Sequence, residues 1–208
     1  MTRYKVFAGA CLTQFIVIGF LFSYGVFFSA FETEFGWSRT LLSSCSALAF
    51  FVMGVLAIIA GRLSDLYGPR LVLGFTGLMY GLGFILMSQI TQPWQLLMIF
   101  VVFIGLGMGT HDVVTLSTVA RWFPNGRGFI TGLVKLGTAA GQMILPPITA
   151  FLILTYGWRS SLVILGLLAA ITLLAAAMLM SRPQNAQPTA AQAELTTASF
   201  QNTKRSLT

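Results

Sequence analysis

Long apolar runs, interrupted by short polar breaks that carry nearly all the charge, set the organisation of this chain. The first run, Val6 to Phe31, is almost uninterrupted over 26 residues. That exceeds the apolar core of a signal peptide, roughly 7–15 residues, so it reads as a retained first helix. At about 1.5 Å per residue it outruns a hydrocarbon layer of about 30 Å and must tilt or bend. The same reading predicts membrane helices over 6–31, 39–60, 71–90, 94–120, 128–155 and 160–180. Residues 181–208, rich in Gln, Thr and Ala with Pro183 and Pro188, read as a disordered cytoplasmic tail or the start of a linker. Pro146 and Pro147 are expected to kink the fifth helix, which is too long to be straight. The polar breaks are Glu32–Ser38, Gly61–Arg70, Thr91–Pro93, Arg121–Arg127 and the tight turn Tyr156–Arg159.

Composition turns this pattern into a fold class. Of 208 residues, 56% are hydrophobic and 8% charged, with a mean hydropathy of +0.85. A soluble domain carries about 25% charged residues, so the chain is predicted to be an all-α membrane protein built as a six-transmembrane-helix bundle. The net charge of +7 suggests nucleic acid at first sight, but the bases are scattered over helix ends and form no stripe, so no nucleic-acid partner is expected. Cys11 and Cys45 lie inside apolar runs and read as small buried hydrophobes, with no metal-ligand or disulfide spacing. No nucleophile constellation, acid pair or phosphate loop has a catalytic spacing, so neither an enzyme nor a cofactor is expected.

Charge also gives orientation. With the N-terminus in the cytoplasm, Arg3, Lys5, Arg62, Arg70, Arg121, Arg127, Arg182, Lys204 and Arg205 face inward, against Arg39 and Arg159 outward. This bias predicts cytoplasmic termini and, for such a protein, residence in the plasma (inner) membrane. Trp37, Trp94, Trp122 and Trp158 then all fall at water boundaries, as an aromatic belt requires.

Two ionisable groups are left deep inside the runs, Asp112 and Lys135. Each costs about 2.5–3.5 kcal/mol near a helix centre. Asp112 lies nine residues before Arg121 and Lys135 eight after Arg127, which places both roughly 12–14 Å from one boundary on antiparallel neighbours. An ion pair or a shared aqueous cavity is expected, with Lys135 providing positive charge for an anionic solute. The bland alternative is a pair that only fixes helix packing. His111 is either a proton-carrying neighbour or a side chain satisfied by a backbone carbonyl. Gln14 and Tyr24, polar members of the first run, are further candidates for a solute or proton path, although an amide bonded to the next helix explains Gln14 equally well. Gly137 and Gly141 form a small-x-x-x-small face for close helix approach.

The break Gly61, Leu63, Asp65, Gly68, Arg70 resembles the signature loop between the second and third helices of the major facilitator superfamily of secondary transporters. It departs from that pattern at Leu66 and Pro69, where basic residues are usual. Arg121-Trp122-Phe123-Pro124, Arg127-Gly128, the segment around Lys135, and the Phe35–Arg39 and Gly157–Arg159 turns resemble the monocarboxylate and oxalate/formate branch. The resemblance covers residues 6–180. It implies one half of a major facilitator fold, with inverted three-plus-three helix repeats, and alternating-access transport of a small carboxylate with protons or by exchange. It also implies that Asp65, with Gly61, Gly68 and Arg70, forms a cytoplasmic gate loop latching onto a second six-helix bundle. Read from local chemistry alone, Asp65 neutralises nearby arginines and caps the helix begun by Pro69. Partners implied are the lipid bilayer, the carboxylate, protons and that second bundle. A truncated or split transporter, a homodimer of bundles and a non-transporting membrane interaction protein remain as alternatives. The homodimer has the geometric difficulty that each Asp65 loop would face its own copy.

Overall fold

In a computed structural model, residues 2–124 and 126–181 are described; the remainder of the tail expected from residue 181 onward lies outside them. The described residues are all helical apart from short turns. Helix α1 (Thr2–Ser23) passes through a 3₁₀ turn, Tyr24–Phe27, into α2 (Phe28–Phe35). Helices α3 (Arg39–Tyr67) and α4 (Pro69–Met87) follow. Next, α5 (Pro93–Ile99) runs through a π turn, Phe100–Ile104, into α6 (Gly105–Trp122), and α7 (Arg127–Leu179) ends the described chain. Among the described residues this gives five continuous helical stretches long and apolar enough to cross a membrane.

Most helices extend beyond the apolar runs that announce them. The Gly61–Arg70 break is no loop: α3 continues through it to Tyr67, and the turn is Gly68 alone, at φ 94°, with Pro69 starting α4. Likewise the first helix continues past Phe31 to Phe35, and the outer loop shrinks to Gly36–Ser38. Hydropathy marks the edge of the oil, whereas helical hydrogen bonding continues into water until a glycine or proline stops it. Ser38 caps α3 by accepting the Leu41 N–H at 3.3 Å.

The 53 residues of α7 contain a reversal. Helical backbone angles persist across Pro146 and Pro147, and the residue that leaves them is Gly157, at φ 75° and ψ 163°. Before it, α7 runs parallel to α1: Gly137 abuts Cys11, and Gly141 abuts Phe15. After it the direction inverts, with Trp158 against Phe31 at a ring separation of 5.1 Å and Ala176 against Gly9. Only glycine adopts those angles without strain. Open space surrounds the position where a Cβ would sit, so Gly157→Ala should cost about 1–3 kcal/mol through backbone strain alone. A thermal midpoint in detergent unchanged from wild type would contradict this.

The buried core follows α1. Phe20, Tyr24, Phe27 and Phe31 pack against Tyr80, Phe84, Phe100 and Trp158. Glycines on α4 and α6 let side chains of neighbouring helices sit against backbone, with Tyr80 against Gly107 and Leu56 against Gly109. Tyr80 donates its hydroxyl to the Val17 carbonyl at 2.7 Å. In an apolar medium such a bond removes a buried polar group that would otherwise cost several kcal/mol, on the order of 2–7.

Candidate functional site

The four carboxylates among the described residues each meet a base. Glu32 bonds Arg39 at 2.7 Å, Glu34 bonds Arg159 at 2.9 Å, Asp65 bonds Arg121 at 2.6 Å, and Asp112 bonds Lys135 at 2.5 Å. The first three pairs lie at helix ends. The fourth lies well inside the apolar lengths of α6 and α7, where both charges are costly unless they meet each other.

Helix α1 completes this fourth site. Gln14, fully buried, donates from Nε2 to Asp112 Oδ1 at 2.7 Å and to Thr115 Oγ at 3.1 Å. Its Oε1 accepts from the Thr138 hydroxyl at 2.8 Å. The amide therefore bridges α1, α6 and α7, and its NH₂ end is held toward the carboxylate by Thr138 at the other end. Lys135 and Asp112 remain 40% and 38% exposed, so the ion pair is partly open although it lies within the apolar lengths of its helices. A charge pair presented there needs water, a solute or another protein surface opposite it.

His111 lies behind the pair, 1% exposed. Its Nδ1 is bonded to the Met108 carbonyl, and its Nε2 is 3.5 Å from Asp112 Oδ1, with no hydrogen-bond partner among the described residues. On its other side is a cavity of about 10 Å³ bordered by Thr13, Thr76, Tyr80 and Thr110. The Thr110 hydroxyl donates to that of Thr76 at 2.8 Å, so this niche is polar as well as small.

The other sequence candidates lie elsewhere. Tyr24 is ten residues, about 15 Å, further along the first helix than Gln14. There it is buried among Phe28, Phe31 and Phe100 and donates to the Leu42 carbonyl at 3.1 Å. Gly137 and Gly141 seat α7 against the α1 backbone, where a Cβ on Gly137 would come within 2.6 Å of the Cys11 oxygen. Gly61, Asp65, Gly68 and Arg70 gather at the far end of α3. Asp65 spans to Arg121 on α6 within this same chain, and Gly68 directly precedes α4. Arg70 is exposed.

Two members of the site escaped the sequence reading, Thr115 and Thr138. Each is three residues beyond a charged member, Asp112 or Lys135, and so shares its helix face. A second constellation was also missed: Arg159 donates to Glu34 and to the Ser88 carbonyl at 3.0 Å, stacks over the Trp158 ring, and Trp158 donates to Glu34. This cluster ties the ends of α2 and α4 to the reversal in α7.

The sequence profile of the Major Facilitator Superfamily matches residues 10–207. The chain belongs to that family. Membership makes it a multi-pass integral membrane protein of a transporter family and sets it apart from enzymes. Among curated relatives, monocarboxylate transporter 1 of Bos taurus is 30% identical over 191 residues, covering 90% of this chain and 38% of that protein. Monocarboxylate transporter 11 of Homo sapiens is 29% identical over 161 residues, 77% of this chain and 34% of that protein. The MFS-type transporter YhjX of Escherichia coli is 26% identical over 179 residues, 86% of this chain and 44% of that protein. The chain thus spans less than half the length of these facilitator relatives.

Proposed function

We propose that this chain forms the N-terminal six-helix bundle of a secondary transporter for a small organic anion of monocarboxylate type. The two limbs of α7 on either side of Gly157 count as the fifth and sixth crossings, and the bundle is read as inverted three-plus-three helix repeats. Transport proceeds by alternating access, coupled to protons or by exchange, once a second six-helix bundle completes the cavity. The membrane is the plasma (inner) membrane, with both termini cytoplasmic, as the bias of Lys and Arg in the short loops favours.

One observation carries this reading: a lysine and an aspartate paired at mid-membrane depth and left about 40% open, with a buried glutamine aimed at the same point. A pair that served only packing needs no opening, whereas one that meets a solute must stay reachable. The names of the relatives, monocarboxylate transporters among them, point to a carboxylate as the solute. In this reading Gly61, Asp65, Gly68 and Arg70, around the turn from α3 to α4 and tied to Arg121, form the cytoplasmic gate, at the place where the second bundle would close.

Reconstitution into proteoliposomes, with and without a co-expressed C-terminal bundle, tests the proposal. Uptake of labelled lactate across an inward proton gradient is expected with both bundles. Uptake by the chain alone would favour a homodimer of bundles. No uptake of lactate, formate or oxalate in either preparation would leave a non-transporting interaction protein as the answer.

A further inference from the structure

We infer that the groove between α3 and α4 seats one acyl chain of an anionic phospholipid, whose phosphate meets Arg62 and Arg70 at the end near Gly68. The groove shares no lining residue with the Asp112–Lys135 site, and the inference does not depend on which solute is carried.

A cavity of about 260 Å³ lies between α3 and α4, with Leu106 and Thr110 of α6 behind it. Its α3 wall runs from Leu56 to Tyr67, which is about 16 Å of helix. That is roughly half of a hydrocarbon core of about 30 Å, so the groove is as deep as one leaflet. Its open end is at Tyr67 and Leu71, on either side of the Gly68 turn, where a lipid headgroup would lie. The volume, drawn out over that length, admits a single chain of methylenes. A protein helix, about 10–12 Å across with its side chains, is too wide to enter.

Polarity selects the chain. The hydroxyls on the deep side are committed within the protein: Thr110 donates to Thr76 at 2.8 Å, and Thr76 donates to the Val72 carbonyl at 2.8 Å. A polar solute would gain no donor from them, whereas hydrocarbon needs none. Charge selects the headgroup. Arg62, three residues after Ile59 of the wall, and Arg70, next to Leu71, are both exposed and form no ion pair among the described residues. The carboxylate between them in the chain, Asp65, is paired with Arg121. Their guanidinium forks suit phosphate oxygens, and basic side chains where helices leave the membrane attract anionic lipid. Apolar depth of one leaflet and two arginines at its wet end together describe a phospholipid with net negative charge.

The test places the full chain in phosphatidylcholine nanodiscs with a trace of phospholipid spin-labelled on one acyl chain, and reads the immobilised fraction by electron paramagnetic resonance. Phosphatidylglycerol should show a saturable component of about one lipid per chain, beyond the unselective shell around any membrane protein. It should be preferred roughly tenfold over phosphatidylcholine, and less so in about 0.5 M salt. Arg62→Gln combined with Arg70→Gln should level the two lipids. Leu63→Trp, which fills the groove, should remove the component altogether. Wild type that holds the two lipids equally overturns the inference, as does a preference that survives the arginine variant or a component that survives Leu63→Trp. Displacement of the lipid by a co-expressed C-terminal bundle, or by dimerisation of the chain, would give the groove to that protein surface and overturn it as well. If Leu63→Trp does not fold, the wild type and the arginine variant decide the matter.

Discussion

Lys135→Met is expected to abolish carboxylate uptake by the proposed two-bundle assembly, lowering it by about two orders of magnitude or more, because the variant removes the cation proposed to meet the solute. The single variant also strands Asp112, a half-exposed carboxylate inside the membrane, and a loss of one partner can cost about 3–5 kcal/mol when the other stays buried and charged. Stability and transport must therefore be separated. Combining Lys135→Met with Asp112→Asn leaves a neutral site of nearly unchanged volume, which should insert and resist unfolding like the wild type while remaining inactive. Transport at wild-type rate by this double variant would show that the pair serves only to hold α6 against α7.

The second large effect is on folding. A Cβ on Gly141 would fall inside the contact distance of the Phe15 carbonyl oxygen, and neither backbone can yield without moving its helix. Gly141→Ala should therefore destabilise the bundle by about 3 kcal/mol, the upper end of ordinary overpacking costs, and weaken the proposed anion binding because Gln14 sits on the stretch of α1 that must shift. Gly132→Ala is the matched control. It lies on the same helix with nothing within 4 Å of the added methyl, so it should be neutral or gain up to about 1 kcal/mol from helix propensity. Thermal unfolding of both variants in detergent checks the pair. Equal midpoints would mean that α1 and α7 are not in backbone contact there.

Particular residues show what could be read in advance. The equal depth of Asp112 and Lys135 follows from counting back to Arg121 and Arg127, and their contact needs only that consecutive helices be neighbours. The chain reversal at Tyr156–Arg159 is legible because a Gly between aromatic residues, flanked by an arginine, marks the edge of the oil. Helix ends were less legible. Arg62 and Asp65 interrupt hydropathy without interrupting hydrogen bonding, so this helical end has the hydropathy of a loop. Contacts between helices distant in the chain were not legible at all. The bonds from Thr138 to Gln14 and from Arg121 to Asp65 depend on how each helix is rotated about its axis, and apolar runs without a polar face give no phase from which rotation can be inferred.

The parallel pairing of α1 with the first limb of α7 has a mechanical consequence. Gly137 and Gly141 interlock main chain with main chain at Cys11 and Phe15, and Gln14 projects from the middle of that seam. Sliding one helix along the other would drive carbonyl oxygens into α-carbons, so shear is blocked where the polar cluster sits. What stays free is the swing of a four-carbon amine: the cluster can trade partners while its scaffold travels as a single stiff piece, like a tool head fixed to a rocking arm.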